Sequence, residues 1–351
     1  MEHPTTPPPT TTASAAPRIM TGTTLCSGME SGGEAGHGRP LYGPSDSKVS
    51  PRFSGIRTYA RLPHLTGRLA GVDAAIVGIP FDTGGTYRVG ARFGPEHIRS
   101  ASALMRPYHS GSGVAIFDRL SVVDYGDLPV VPGYIEESHR RIAGGLLDVL
   151  RAGVIPIDLG GDHSIALPEL RALAEVHGKV GLIQLDSHSD TSEAYFDQPH
   201  THGTPIYHAV REGLIEPSRS IQVGLRGPIY SDRDYAIPRE MGIEVITGVE
   251  AHEMGMAAVA ERIAARVADI KVFFSFDIDF IDPAYAPATG TPEIGGFTTW
   301  EAQSLLRRLA GINYVGFDVV EVIPAYDVAD NTSFVAANIV YEFLALLAQA
   351  R

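Results

Sequence analysis

One cysteine, Cys26, stands in 351 residues. An intrachain disulfide framework and a cysteine-based zinc cluster are therefore excluded. Positive charge is also scarce: 28 Lys and Arg face 41 Asp and Glu, a net charge of −13 at pH 7. That balance argues against a nucleic-acid backbone or an anionic membrane as partner, and it favours attraction of a cation. The first sixteen residues, MEHPTTPPPTTTASAA, lack the apolar h-region of a signal peptide. The most apolar late stretch, residues 334–350, is interrupted by Asn338 and Glu342. It falls short of a membrane span of ~20 residues. These gaps lead to the expectation of a soluble, cytoplasmic protein.

What is present suits a large buried core: 44% of residues are apolar and only 20% charged. The 38 glycines and 25 prolines fit many tight loops. Residues 1–50 are rich in Pro, Thr, Ser and Gly, and the first sixteen read as a disordered tail. The part from Arg39 to Tyr59 reads as an arm lying on the body or on a neighbouring subunit. Residues 51–351 are expected to form a single domain. Short β-branched runs predict strands at 74–79, 154–159, 180–185, 221–225, 272–276 and 314–322. Apolar three-and-four spacing predicts helices at 136–151, 167–176, 254–270, 298–309 and 331–349. Strand, loop and helix in repeated alternation imply an α/β fold with a mainly parallel central sheet between helical layers.

In such sheets ligands sit beyond the carboxyl ends of the strands. The run 154–159 ends in Gly160-Gly161-Asp162-His163, where the glycines permit a tight turn. The run 180–185 ends in Asp186-Ser187-His188-Ser189-Asp190, and 272–276 ends in Asp277-Ile278-Asp279. In extended chain alternate side chains share a face, so Asp186, His188 and Asp190 are expected together, as are Asp277 and Asp279. Ser187 would then point away. Four aspartates and two histidines clustered this way repel and desolvate one another unless cations compensate. Two divalent ions would balance four carboxylates, and this donor set suits Mn²⁺, Co²⁺, Ni²⁺ or Zn²⁺.

These segments, GGDHS at 160–164, DSHSD at 186–190 and SFDIDFIDPAYAPATGTPEIGG at 275–296, resemble the ureohydrolase family of arginases, agmatinases and guanidinobutyrases. GIPFDTGGTYRVGARFGPEHIR at 78–99 resembles its agmatinase-like branch. The resemblance covers residues 50–350. It implies a three-layer α/β/α fold around a binuclear metal centre, with manganese first and nickel as the alternative. By position it implies His163, Asp186, His188, Asp190, Asp277 and Asp279 as metal ligands. It further implies Asp190 as proton acceptor, His202 as proton donor to the leaving amine, and Glu301 as a guanidinium contact. Glu301 also completes a capping box with Thr298 in the sequence Thr-Thr-Trp-Glu, so both readings stand. His200 reads as a surface-loop histidine, a substrate contact or an extra metal ligand.

The resemblance implies hydrolysis of a small cationic guanidino substrate to urea plus an amine. Agmatine and guanidino acids such as 4-guanidinobutanoate are the candidates, with a small or substituted guanidine or biguanide as the alternative. Arg226 or Arg233 could meet a substrate carboxylate, or both could pair with the protein's own acids. The family forms trimers and hexamers, which implies a homo-oligomer; a noncatalytic or partner-dependent subunit of a hetero-oligomer, or a hydrolase of formimino groups, are the rival readings.

Overall fold

The computed structural model describes residues 41–351. The expected tail lies outside the described residues as far as residue 40. The strands are β1 (Ala74–Ile79), β2 (Tyr108–His109), β3 (Val114–Ala115), β4 (Val122–Asp127), β5 (Ile155–Gly160), β6 (Gly181–Leu185), β7 (Ile221–Leu225), β8 (Glu244–Thr247), β9 (Val272–Asp277) and β10 (Tyr314–Val320). Eight of them build one sheet in the order β4-β1-β5-β10-β9-β6-β7-β8, every neighbouring pair parallel. Strands β2 and β3 form a separate antiparallel pair.

Burial on both faces explains the near-continuous apolar strands, because helices cover each side of a parallel sheet. Alternate residues of β1 enter different cores. Ala74 and Ile76 pack on one side with the helices Gly248–Arg266, Thr299–Arg307 and Asn331–Gln349. Ala75 and Val77 pack on the other with Ile135–Arg151, Ala166–His177 and Pro205–Arg211. The result is the expected three-layer α/β/α fold.

The helix Asn331–Gln349 is long and apolar enough to cross a bilayer, yet 78% of that stretch is buried inside the fold. It is a core helix here. Of the expected arm, residues 41–59 are described, and it lies on the body at Tyr42, whose N–H donates to Ser121 Oγ at 3.0 Å and whose carbonyl accepts from Val122 N–H at 3.0 Å.

The expected elements differ from the observed ones mainly at the edges. The edge strands β4 and β8 carry polar residues and broke the apolar-run pattern. The helix expected at 254–270 spans Gly248–Arg266, because a capping box at Thr247 and Glu250 starts it early and Gly255, at φ 75°, interrupts it. The last strand stops at Val320, two residues before the expected end at 322. Glu321 takes a left-handed backbone (φ 66°), which no strand accommodates.

Candidate metal centre

The carboxyl ends of β5, β9 and β6 deliver the six expected ligands. His163 follows the Gly160-Gly161 turn. A Cβ on Gly161 would lie 2.5 Å from the Phe81 carbonyl oxygen, so no side chain fits there. Asp162 fixes the turn by accepting from Gly84 N–H at 2.6 Å and Ser164 N–H at 3.0 Å. At β9, Asp277 caps a single 3₁₀ turn by accepting from Asp279 N–H at 2.9 Å.

The segment 186–190 is not extended, contrary to the sequence expectation. It turns, with Asp190 at φ 52°. The turn still gathers Asp186, His188 and Asp190, and it also brings Ser187 inward. The Ser187 hydroxyl lies 3.1 Å from His188 Nδ1, and its N–H donates to Asp279 Oδ1 at 2.9 Å. The expectation that Ser187 faces away fails because alternation holds only in extended chain.

Two sets of donor atoms converge, with all atoms of each set within 4.8 Å of one another: His163, Asp186 and Asp277, and then Asp186, His188 and Asp279. Asp186 belongs to both. His163 Nδ1 lies 3.1 Å from Asp186 Oδ2, 2.8 Å from Asp190 Oδ2 and 3.4 Å from Asp277 Oδ2. His188 Nδ1 lies 2.9 Å from Asp279 Oδ2. Yet His163 Nδ1 and Asp279 Oδ2 are buried without an aligned hydrogen bond. Atoms this close but out of line with each other point at a shared location rather than at one another. Lone pairs of imidazole and carboxylate aimed at one place fit a divalent ion, and a shared Asp186 fits two.

The electrostatics agree. Burial raises the Asp186 carboxyl to about 7, with the like charges of Asp279 and Asp190 adding to it. Asp277 is pushed well above the carboxylate range by burial and then by Asp279 and Asp186. For Asp279, burial acts upward, but the facing His188 and the Ser187 N–H outweigh it and hold the group low. The protein's own side chains thus leave part of this acid cluster short of counter-charge.

His202 stands beside the cluster. Its Nδ1 meets Glu321 Oε1 at 2.9 Å, and its Nε2 lies 2.7 Å from the Thr86 hydroxyl. Burial disfavours the imidazolium, but the Glu321 carboxylate outweighs it and raises His202 to about 9. The Thr86 N–H also approaches Nε2 at 3.2 Å. That bond needs a neutral ring, so the charged ring keeps only the hydroxyl contact, as an N–H donor.

Glu301 is not at the site. It closes the capping box, accepting from Thr298 N–H at 2.8 Å, and lies 3.7 Å from His252 on its other oxygen. It is absent from the cleft lining. The glutamate paired with His202 in the cleft is Glu321, missed in the sequence because it was read as strand interior. Strand β10 runs between β5 and β9, so its end opens directly between the ligand clusters. Glu321 Oε1 also accepts from His163 N–H at 2.9 Å, which leaves Oε2 uncommitted.

The cleft has a volume of about 480 Å³ and is lined further out by Tyr195, Tyr230, Tyr235, Asp234 and Glu293. Arg226 is in the lining, but it donates to the Asp279 carbonyl at 2.5 Å and the Glu293 carbonyl at 2.9 Å. Arg233 pairs with Glu240 at 2.7 Å, outside the lining. His200 is likewise outside, packed 5.5 Å from the His139 ring and 5.0 Å from the His208 ring.

Comparison with known proteins matches the arginase family over residues 72–346. The guanidinopropionase of Pseudomonas aeruginosa is 46% identical over 88% of this chain and 96% of its own length. The guanidinobutyrase of the same organism is 42% identical over 88% and 97%. The solved structure of the proclavaminate amidinohydrolase of Streptomyces clavuligerus superposes with a TM-score of 0.81, at 40% identity, covering 86% of this chain and all of the other. With the fold, the convergent acids and these similarities in agreement, the chain belongs to the arginase family.

Proposed function

We propose that the cleft holds two divalent metal ions and hydrolyses a linear guanidino compound to urea and an amine. The observation that carries this reading is the pair of three-residue donor sets joined at Asp186 beside a buried His202–Glu321 pair. His163, Asp186, Asp190 and Asp277 would hold one ion, and Asp186, His188 and Asp279 the other. When bound, the ions supply Lewis acidity, which lowers the pKa of water from 15.7 to about 7 and provides a nucleophile at neutral pH. The guanidinium carbon needs such help, because its charge is delocalised and its pKa stays above ~12.

The side chains supply the rest. Asp190 would accept the proton that the attacking water gives up. Glu321 Oε2 is free to pair with the planar guanidinium and resist its rotation. His202, held protonated by Glu321, delivers a proton to the departing amine nitrogen. Glu321 therefore takes the substrate contact first assigned to Glu301.

Manganese is the proposed ion and nickel the alternative, since both accept this donor set. The named relatives support 3-guanidinopropanoate and 4-guanidinobutanoate as substrates. The acidic cleft mouth, with Asp234 and Glu293 and with Arg226 occupied by carbonyls, supports agmatine. A cytoplasmic oligomer is proposed as well. Val49, Phe53 and Ile56 on the arm are 79%, 79% and 82% exposed, which fits cover by a second copy.

The test is urea release by the purified chain, loaded with Mn²⁺ or Ni²⁺, from agmatine, the two guanidino acids and guanidine itself, with metal content measured in parallel. Two ions per chain and urea from one of the linear compounds are expected. Two ions with formamide or ammonia in place of urea would reassign the chemistry, and near-zero metal with no product would sink it.

A further inference from the structure

Beneath the metal centre a row of polar side chains crosses the interior of the sheet. Asp158 of β5 pairs in register with Asp318 of β10, and Asp318 with Ser275 of β9. Ser275 pairs with Gln184 of β6, and Gln184 with Gln222 of β7. Residues in register on adjacent parallel strands share a face. All five are buried in the most apolar part of the molecule. Glu169, from the helix Ala166–His177, joins Asp158 and Asp318 from above and is equally buried.

In the Gln half both side-chain amide groups donate, although Gln222 Oε1 is left without a partner among the described residues. Gln222 donates to the Gln184 side-chain oxygen at 2.7 Å, and Gln184 donates to Asp186 Oδ2 at 2.7 Å. The acid half is different. Among the described residues, Asp158 Oδ1, both Glu169 oxygens and Asp318 Oδ2 are buried with no donor facing them. Three ionised carboxylates cannot share such a space, because each buried unpaired charge costs several kcal/mol. Protons placed between the carboxyls resolve this, since a carboxylic acid donates one hydrogen bond and still accepts another. Burial raises Asp158, Glu169 and Asp318 alike, and Glu169 is raised further by both neighbours.

At the other end, Asp318 Oδ1 accepts from Phe276 N–H at 3.0 Å and Asp318 also bonds the Ser275 side chain. Ser275 Oγ lies 2.8 Å from His163 Nε2. His163 Nδ1 faces the acids of the metal centre, so Nε2 is the nitrogen that carries the proton. A chain of donors follows: His163 Nε2–H to Ser275 Oγ, and Ser275 O–H to Asp318.

We propose that Asp318 is a positioning residue for the metal ligand His163, acting through the Ser275 hydroxyl. Glu169 and Asp158 serve it as carboxylic acids, so that the trio carries one negative charge. Glu169 donates to Asp318 and accepts from Asp158. The charge on Asp318 orients Ser275, fixes the His163 tautomer and strengthens the Nδ1 lone pair aimed at the ion. The inference rests on the reading of His163 as a ligand.

The test reads ion affinity rather than turnover. Chelated protein is titrated with Mn²⁺ in competition with a chromophoric chelator. The wild type binds two ions. Asp318→Asn weakens one of them about 10–100-fold, the usual effect of losing an outer partner of a metal-bound histidine. Glu169→Gln keeps a donor towards Asp318 and an acceptor towards Asp158, so its affinities stay within about threefold of wild type. Ser275→Ala weakens the same ion and stands in for Asp318→Asn if that variant does not fold. Lowered thermal stability with wild-type ion affinity in Asp318→Asn or Ser275→Ala would overturn the proposal. So would a Glu169→Gln loss as large as that of Asp318→Asn. Failure of the wild type itself to bind two ions would overturn the metal reading, and this inference with it.

Discussion

His139 offers the sharpest quantitative prediction. It is 2% exposed, lies edge-on to Phe81 and tilted against His200, and among the described residues neither ring nitrogen has a hydrogen-bond partner. Burial, aided by His200 and Arg171, depresses it to about 3. The folded protein therefore binds fewer protons than the unfolded chain below pH ~6.5, and stability falls as pH falls. The stability contributed by the neutral ring is complete above pH ~6.5 and is lost progressively towards pH 3. At pH 5.5 the loss is RT ln(1 + 10), about 1.4 kcal/mol, against less than about 0.1 at pH 7.5. His139→Leu removes the titrating group and two unpartnered nitrogens at similar volume. Urea unfolding of chelated wild type and variant at the two pH values measures the difference. The wild type should lose about 1.3 kcal/mol more than the variant between pH 7.5 and 5.5. At pH 7.5 the variant should be no less stable, because an unpartnered polar group is exchanged for an apolar one. Equal pH dependence in the two proteins would refute the reasoning. A large loss at pH 7.5 would mean that the ring nitrogens are bonded after all.

Three further substitutions separate the roles of His202, Glu301 and Glu321. His202→Ala should keep both ions and lower kcat by about 10²–10⁴-fold, the usual cost of losing a general acid; unchanged turnover would remove His202 from the chemistry. Glu301→Ala should cost about 0.5–1 kcal/mol of stability through the lost cap, with kcat and KM intact. Glu321→Ala should lower kcat/KM, and the opposite pattern between these two glutamates would restore the first assignment.

The sheet was legible because its central strands are apolar on both faces. The runs at 74–79 and 221–225 match observed strands to the residue. Polar edge strands have no such signature, so β4 and β8 were missed. The histidines and aspartates were legible as a group because each cluster directly follows an apolar run. Glu321 obeys the same rule at the end of β10, but Val322 and Ile323 extend the apolar run past it. Its left-handed backbone ends the strand without a glycine or proline to mark the place. Glu301 misled for the opposite reason: a glutamate three residues after a threonine is sufficiently explained by the cap alone. The inward turn of Ser187 was hidden because the chain bends at Ser187 and His188, with no glycine or proline to mark the place.

The position of β10 has a consequence for how the molecule is made. It lies at the middle of the sheet, yet its residues, 314–320, come last in chain order among the sheet's described strands. Chains emerge from the ribosome N-terminus first. Without β10 the strand order divides into two groups, β4-β1-β5 and β9-β6-β7-β8, whose inner edges have no strand to pair with. Such edges invite pairing with other chains. The same late insertion brings Glu321 into place, so a nascent chain has both halves of the ligand set before it has the acid between them. Insertion of β10 is thus the step that joins the two halves of the sheet.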